Sequence, residues 1–166
     1  MSRGASVIYS FSGNTKRAAV WLNQELRAGG NENKVIDLRP VNEPRSFLRQ
    51  GIQALLKSPV TLADTLEYDL RWVEYAVFAS PVWAFTIAPA MRVYLNRVRG
   101  LNGKKTACFV TYGSGTGKNR ALGELEEILK GKGARVLFSR AFSGASCRKE
   151  PFLRKAFSPL CEILNP

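Results

Sequence analysis

Histidine is absent from this 166-residue chain. That removes every imidazole base, every triad or dyad built on one, and all histidine metal sites. Cysteine is scarce. Cys108, Cys147 and Cys161 are an odd number with no CxxC pair, so they offer neither a disulfide framework nor a four-thiolate zinc site. They read as small buried hydrophobes. Acidic residues are few, 13 against 25 lysines and arginines, for a net charge of +12. After Gly103 the balance is twelve basic to five acidic. A field of that sign attracts anions, whether nucleotides, acidic proteins, nucleic acid or a membrane surface. Long apolar runs are missing too. The longest uncharged stretch, 75–91, contains Pro81, Pro89 and several polar residues, which makes it a poor membrane span. Met1–Ser6 lead into too few apolar residues for a signal peptide, so a reduced, cytoplasmic compartment is expected.

What is present is a hydrophobic content of 45%, enough for the core of one domain over 1–166. Apolar, β-rich runs at 5–10, 34–38, 74–80, 106–111 and 134–139 alternate with helical spacing at 15–28, 45–56, 88–98, 120–132 and 152–164. Residues 57–70 read as loop. Alternation with short links predicts an α/β fold: a five-stranded parallel sheet with helices on both faces, a three-layer sandwich.

In an open parallel sheet, ligands bind beyond the carboxyl ends of the strands. Three loops lie there. The first, Ser10-Phe11-Ser12-Gly13-Asn14-Thr15, puts hydroxyls and a glycine between a strand and a helix. Backbone N–H groups and the hydroxyls of Ser10, Ser12 and Thr15 can converge there on one phosphate. An ordinary helix N-cap uses the same residue types. The second loop, Ser80–Thr86, and the third, Thr111–Gly117, set Trp83, Phe85 and Tyr112 beside small or polar residues. Together the three suit a flat aromatic ring with a phosphate tail. Gly113–Lys118 is not a P-loop, because three residues rather than four separate the outer glycines and Asn119 follows the lysine. It also fails GxGxxG, whose last position is Lys118.

Ser10-x-Ser12-Gly13-Asn14-Thr15 closely resembles the phosphate loop of the flavodoxin family of FMN-binding proteins, T/S-x-T/S-G-N-T. Ser80-Pro81-Val82-Trp83 resembles the family's first flavin-flanking loop, and Thr111-Tyr112-Gly113-x-Gly115, less specifically, its second. The resemblance runs through the whole chain in order and is to the short-chain type. It implies strand order 2-1-3-4-5 and bound FMN. The phosphate would lie on Ser10, Phe11, Ser12, Gly13, Asn14 and Thr15. The ring would lie between Pro81, Val82, Trp83, Ala84 and Phe85 on one side and Thr111, Tyr112, Gly113, Ser114 and Gly115 on the other. Trp83 reads as a stacking residue. Tyr112 stays open between ring contact and packing, and Phe85 between pocket wall and core. Lys118 and Arg120 could attract the phosphates of NAD(P)H or form a solvated helix face.

The charge departs from the family's electron carriers, which are typically acidic. A unit charge 10 Å away at an effective dielectric near 20 is worth roughly 1–2 kcal/mol before screening, or several tens of millivolts for one electron. A basic surround stabilises negative charge on the reduced ring, so the second-electron potential is expected to lie above that of an acidic carrier. A redox titration giving a low, carrier-like second couple would count against this. The expected function is an FMN-dependent oxidoreductase, passing electrons from NAD(P)H to a quinone, a nitro compound or a protein. One alternative is a non-enzymatic carrier for an acidic redox partner. Another is a nucleotide- or nucleic-acid-binding module, although no basic stripe interleaved with aromatics marks one.

Overall fold

The structure is a computed structural model that describes residues 1–41 and 60–165. The helix expected over 45–56 lies outside the described residues. The elements run β1 (Arg3–Ile8), α1 (Asn14–Ala28), β2 (Glu32–Asp37), β3 (Tyr75–Trp83), β4 (Thr86–Ile87), α2 (Pro89–Arg97), β5 (Lys105–Tyr112), α3 (Lys118–Gly131), β6 (Arg135–Ser143), a short 3-10 turn (Ser146–Arg148) and α4 (Glu150–Leu164). Five strands form a parallel sheet in the order β2-β1-β3-β5-β6, and β4 folds back antiparallel on β3. With β4 set aside this is the 2-1-3-4-5 order of a flavodoxin-like fold.

Strand side chains alternate between faces, and the core divides accordingly. Val7, Ala76, Phe78, Cys108 and Val110 face Met91, Tyr94 and Leu95 of α2 and Ala121, Leu125 and Leu129 of α3. Ile8, Tyr75, Val77, Ala107 and Phe109 face Ala18, Leu22 and Leu26 of α1 and Leu153, Phe157 and Leu160 of α4. Phe157 is fully buried. It packs on Phe109, Phe138, Phe142 and Trp21, with ring centroids 5.1–6.1 Å away. Phe157→Ala is therefore expected to cost about 3–5 kcal/mol of unfolding free energy in urea. A loss below about 1 kcal/mol would mean the aromatic cluster closes over the cavity.

Two strands outrun their sequence patterns. β3 continues through Pro81 to Trp83, because the ladder to β1 ends at Ile8↔Ala79 while that to β5 reaches Pro81↔Thr111. Proline's missing N–H then falls where only one side is paired. β6 runs on to Ser143, four residues past the expected end, and brings the following turn to the same edge as the three candidate loops.

Candidate functional site

The first loop leaves β1 and turns into α1 at Gly13, whose φ of +85° places it in the left-handed region. The Lys16 N–H donates to Ser10 Oγ at 3.1 Å, so Ser10 satisfies one first-turn N–H of α1, whose N-cap residue is Gly13. Asn14 Nδ2 donates to Ser12 Oγ at 3.3 Å. Thr15 is buried, and its hydroxyl shares a 2.7 Å hydrogen bond with the Thr111 hydroxyl, tying the first loop to the third.

The second loop is a two-residue hairpin. Trp83 pairs with Thr86, leaving Ala84 (φ +46°) and Phe85 (φ +67°) at the tip. Both central residues are left-handed, as in the mirror-image turns that usually carry Asn-Gly. Each non-glycine residue held there costs about 1–3 kcal/mol and persists only where its surroundings hold it. Here Glu124 of α3 does so. Its carboxylate accepts the Thr86 hydroxyl and, at 3.3 Å, the Ile87 N–H, and it pairs with Arg92 at 2.5 Å. Gly117 lies beneath the tip, where a Cβ would stand 2.6 Å from the Phe85 Cα.

Between the loops is a cleft of about 270 Å³. Its walls are Phe11, Ser12 and Asn14 from the first loop, Pro81–Ala84 from the second, and Thr111, Tyr112 and Gly113 from the third. Trp83 is 7% exposed and meets Phe11 edge-to-face at 5.5 Å. Its indole N–H is buried with no partner among the described residues. Lys118 sets its ammonium over the Tyr112 ring at 4.8 Å. The other predicted residues lie off these walls. Ser10 and Gly13 shape the first turn, Thr15 is buried behind it, Phe85 is 53% exposed at the hairpin tip, and Ser114 and Gly115 continue the third loop outward.

Sequence reasoning missed the Glu124 clamp, which has no signature on an amphipathic helix. It also missed a fourth loop, Ser143–Arg148, that reaches the first. The Gly144 N–H donates to the Tyr112 carbonyl at 2.8 Å, and Arg148 Nε lies 3.5 Å from Asn14 Oδ1. A second cleft, lined by Thr86, Arg92, Asn119, Arg120, Glu124 and Glu127, shares Ala84 with the first. Burial pushes the Cys108 thiol up to about 12 and Cys147 up to about 11, so neither is a thiolate at neutral pH. Among the described residues no acid–cysteine cluster suits a metal ion, and no helix is long and apolar enough to cross a membrane.

A phosphorylated flavin needs a cradle for its phosphate, a flat apolar slot and donors at the ring edge. The Gly13 position opens onto free space, the slot has Trp83 and Tyr112 as walls, and the indole N–H of Trp83 is buried with no partner among the described residues. The residues present fit that group.

This fold and this cleft define an FMN-binding, flavodoxin-like redox protein. Solved flavoproteins share the architecture. A Lactobacillus acidophilus flavoprotein in complex with FMN is 17% identical, with a TM-score of 0.67, over 89% of this chain and 97% of that one. The NADH:FMN oxidoreductase EmoB in its apo form is 13% identical, with a TM-score of 0.69, over 99% and 89%. The two-electron-reduced flavodoxin of Megasphaera elsdenii is 15% identical, with a TM-score of 0.63, over 96% and 98%. No curated protein matches the sequence at a significant level. The sequence profile of the NADPH-dependent FMN reductases matches residues 9–147, and the chain belongs to that family.

Proposed function

We propose that the protein is a single-domain, FMN-dependent oxidoreductase that takes electrons from NAD(P)H and passes them to a quinone, a nitro compound or a protein acceptor. The observation that carries this reading is the second cleft. Its cations Arg92 and Arg120 line, with Glu124 and Glu127, a groove that shares Ala84 with the flavin cleft. Pyridine-nucleotide phosphates laid along that groove would leave the nicotinamide beside the ring slot. Arg92 is already committed to Glu124, and Lys118 to the Tyr112 ring. Arg120, exposed on α3, is therefore the cation left to meet the nucleotide. The family's NADPH-dependent designation supports the same donor.

Bound FMN supplies two-electron transfer between donor and acceptor. The chain supplies position and charge. Ser12, Asn14 and the backbone N–H groups from Gly13 onward hold the phosphate. Trp83 and Tyr112 confine the ring and exclude water from its faces. The clamped hairpin keeps the Trp83 wall in register. No side-chain acid or base is needed, which is compatible with a chain that lacks histidine. The three free thiols suit a reducing, cytoplasmic setting.

The test is anaerobic mixing of FMN-loaded protein with NADPH and, separately, NADH. Loss of the oxidised-flavin absorbance at catalytic rates is expected, with Arg120→Gln raising KM for the nucleotide and leaving kcat nearly unchanged. No bleaching by either nucleotide, with normal chemical reduction, would instead favour a carrier docking an acidic partner, the reading to which the +12 charge points.

A further inference from the structure

Basic side chains stand where helix electrostatics disfavour them. The positive end of a helix dipole favours acids, yet α1 opens Asn14-Thr15-Lys16-Arg17 with no acidic residue in its first turn. Lys16 is offset by Asp37 at 3.0 Å. Arg17 and Arg148 carry no ion pair among the described residues. Arg148 does not arrive there on a loose tail. The turn that carries it is pinned to the third loop by the 2.8 Å bond from Gly144 N–H to the Tyr112 carbonyl. It is closed by the 2.7 Å hydroxyl pair of Ser143 and Ser146 and anchored by the fully buried Cys147. Gly144 lies so close to the first loop that a Cβ there would stand 2.6 Å from Asn14 Nδ2. The result is a guanidinium 3.5 Å from Asn14 Oδ1, beside the phosphate loop. Two guanidinium groups at a helix N-terminus, without an ion pair among the described residues, are what a ligand anion would reconcile.

We propose that Arg148, held against Asn14 by the turn after β6, is the side-chain cation for the FMN phosphate. Phosphate recognition in this chain is then divided between the first loop and the β6–α4 turn. Arg148 falls just beyond the segment 9–147 that matches the family profile. The proposal rests on FMN being the cofactor, and its test separates the two. Flavin-free protein is titrated into FMN and into riboflavin at several NaCl concentrations, and flavin fluorescence is followed for the parent, Arg148→Gln, Arg148→Lys and Lys105→Gln. Lys105 opens β5 at the opposite end of the sheet and controls for net charge alone.

Arg148→Gln is expected to weaken FMN binding about tenfold, leave riboflavin binding unchanged and flatten the salt dependence. Arg148→Lys should keep most of the salt dependence, and Lys105→Gln should match the parent. FMN affinity in Arg148→Gln equal to the parent's overturns the proposal. So does an equal loss for both flavins, which would mark Arg148 as a packing residue of the turn. A parent that binds neither flavin overturns the cofactor assignment itself and is recognised before any variant is compared.

Discussion

Gly117→Ala is expected to lower unfolding free energy by about 3 kcal/mol and to weaken FMN binding by more than about tenfold. Two costs combine. The residue has φ +78°, where any Cβ meets the following carbonyl at about 1–2 kcal/mol. The new methyl would also stand 2.6 Å from the Phe85 Cα. That neighbour is backbone and cannot rotate away, so overpacking adds about 1–3 kcal/mol or the hairpin shifts. A shifted hairpin carries Trp83 with it, and the slot loses its wall. Gly103→Ala isolates the first cost, since Gly103 has φ +73° but a methyl added there would meet no atom within 4 Å. It should lose about 1–2 kcal/mol and bind FMN as the parent does. Urea unfolding and flavin titration of the pair give both quantities. Equal losses in the two variants would mean the hairpin does not rest on Gly117.

Trp83→Ala carries the other large effect, on affinity. Trp83 is already buried in the protein, so the affinity at stake is that of the flavin ring: covering its apolar face is worth about 1.5–3 kcal/mol, and aromatic stacking adds about 0.5–1.5 kcal/mol. Allowing for collapse of Phe11 into the space, the dissociation constant for FMN should rise roughly 30- to 100-fold. Riboflavin should lose the same factor, because the ring and not the phosphate has lost its partner. Trp83→Phe should recover part of the affinity. A Trp83→Ala protein that discriminates against FMN but keeps riboflavin binding would show that the ring lies elsewhere.

The parallel sheet was readable because strands buried on both faces are continuous apolar runs. Tyr75–Ala79 and Ala107–Val110 are such runs, and each is followed by turn residues and then helical spacing. The three loops followed from the position of the strand ends. The hairpin did not, because Ala84-Phe85 is the wrong chemistry for a mirror-image turn. Glu124 and Gly117, 40 and 33 residues beyond Ala84 in the chain, help to hold it in place, with Arg92 donating to Thr86. Pro81 also looked like a strand end, and whether proline is tolerated depends on which neighbour pairs at that level. The fourth loop escaped for a simpler reason. β6 is an edge strand whose pattern fades after Ser139, and stopping four residues early leaves the chain roughly 13 Å short of the site.

The buried Thr15–Thr111 pair has a consequence that lies in proton counting. Two hydroxyls carry two protons, and the 2.7 Å bond between them consumes one, with either oxygen able to donate. One proton is always left over. If Thr111 donates, the spare proton belongs to Thr15 on the first loop. If Thr15 donates, it belongs to Thr111 on the third. The two orientations interconvert by rotating hydroxyls, with no heavy atom moving. The junction between the loops is therefore a two-position donor, and whichever loop offers the spare proton the stronger acceptor sets its direction.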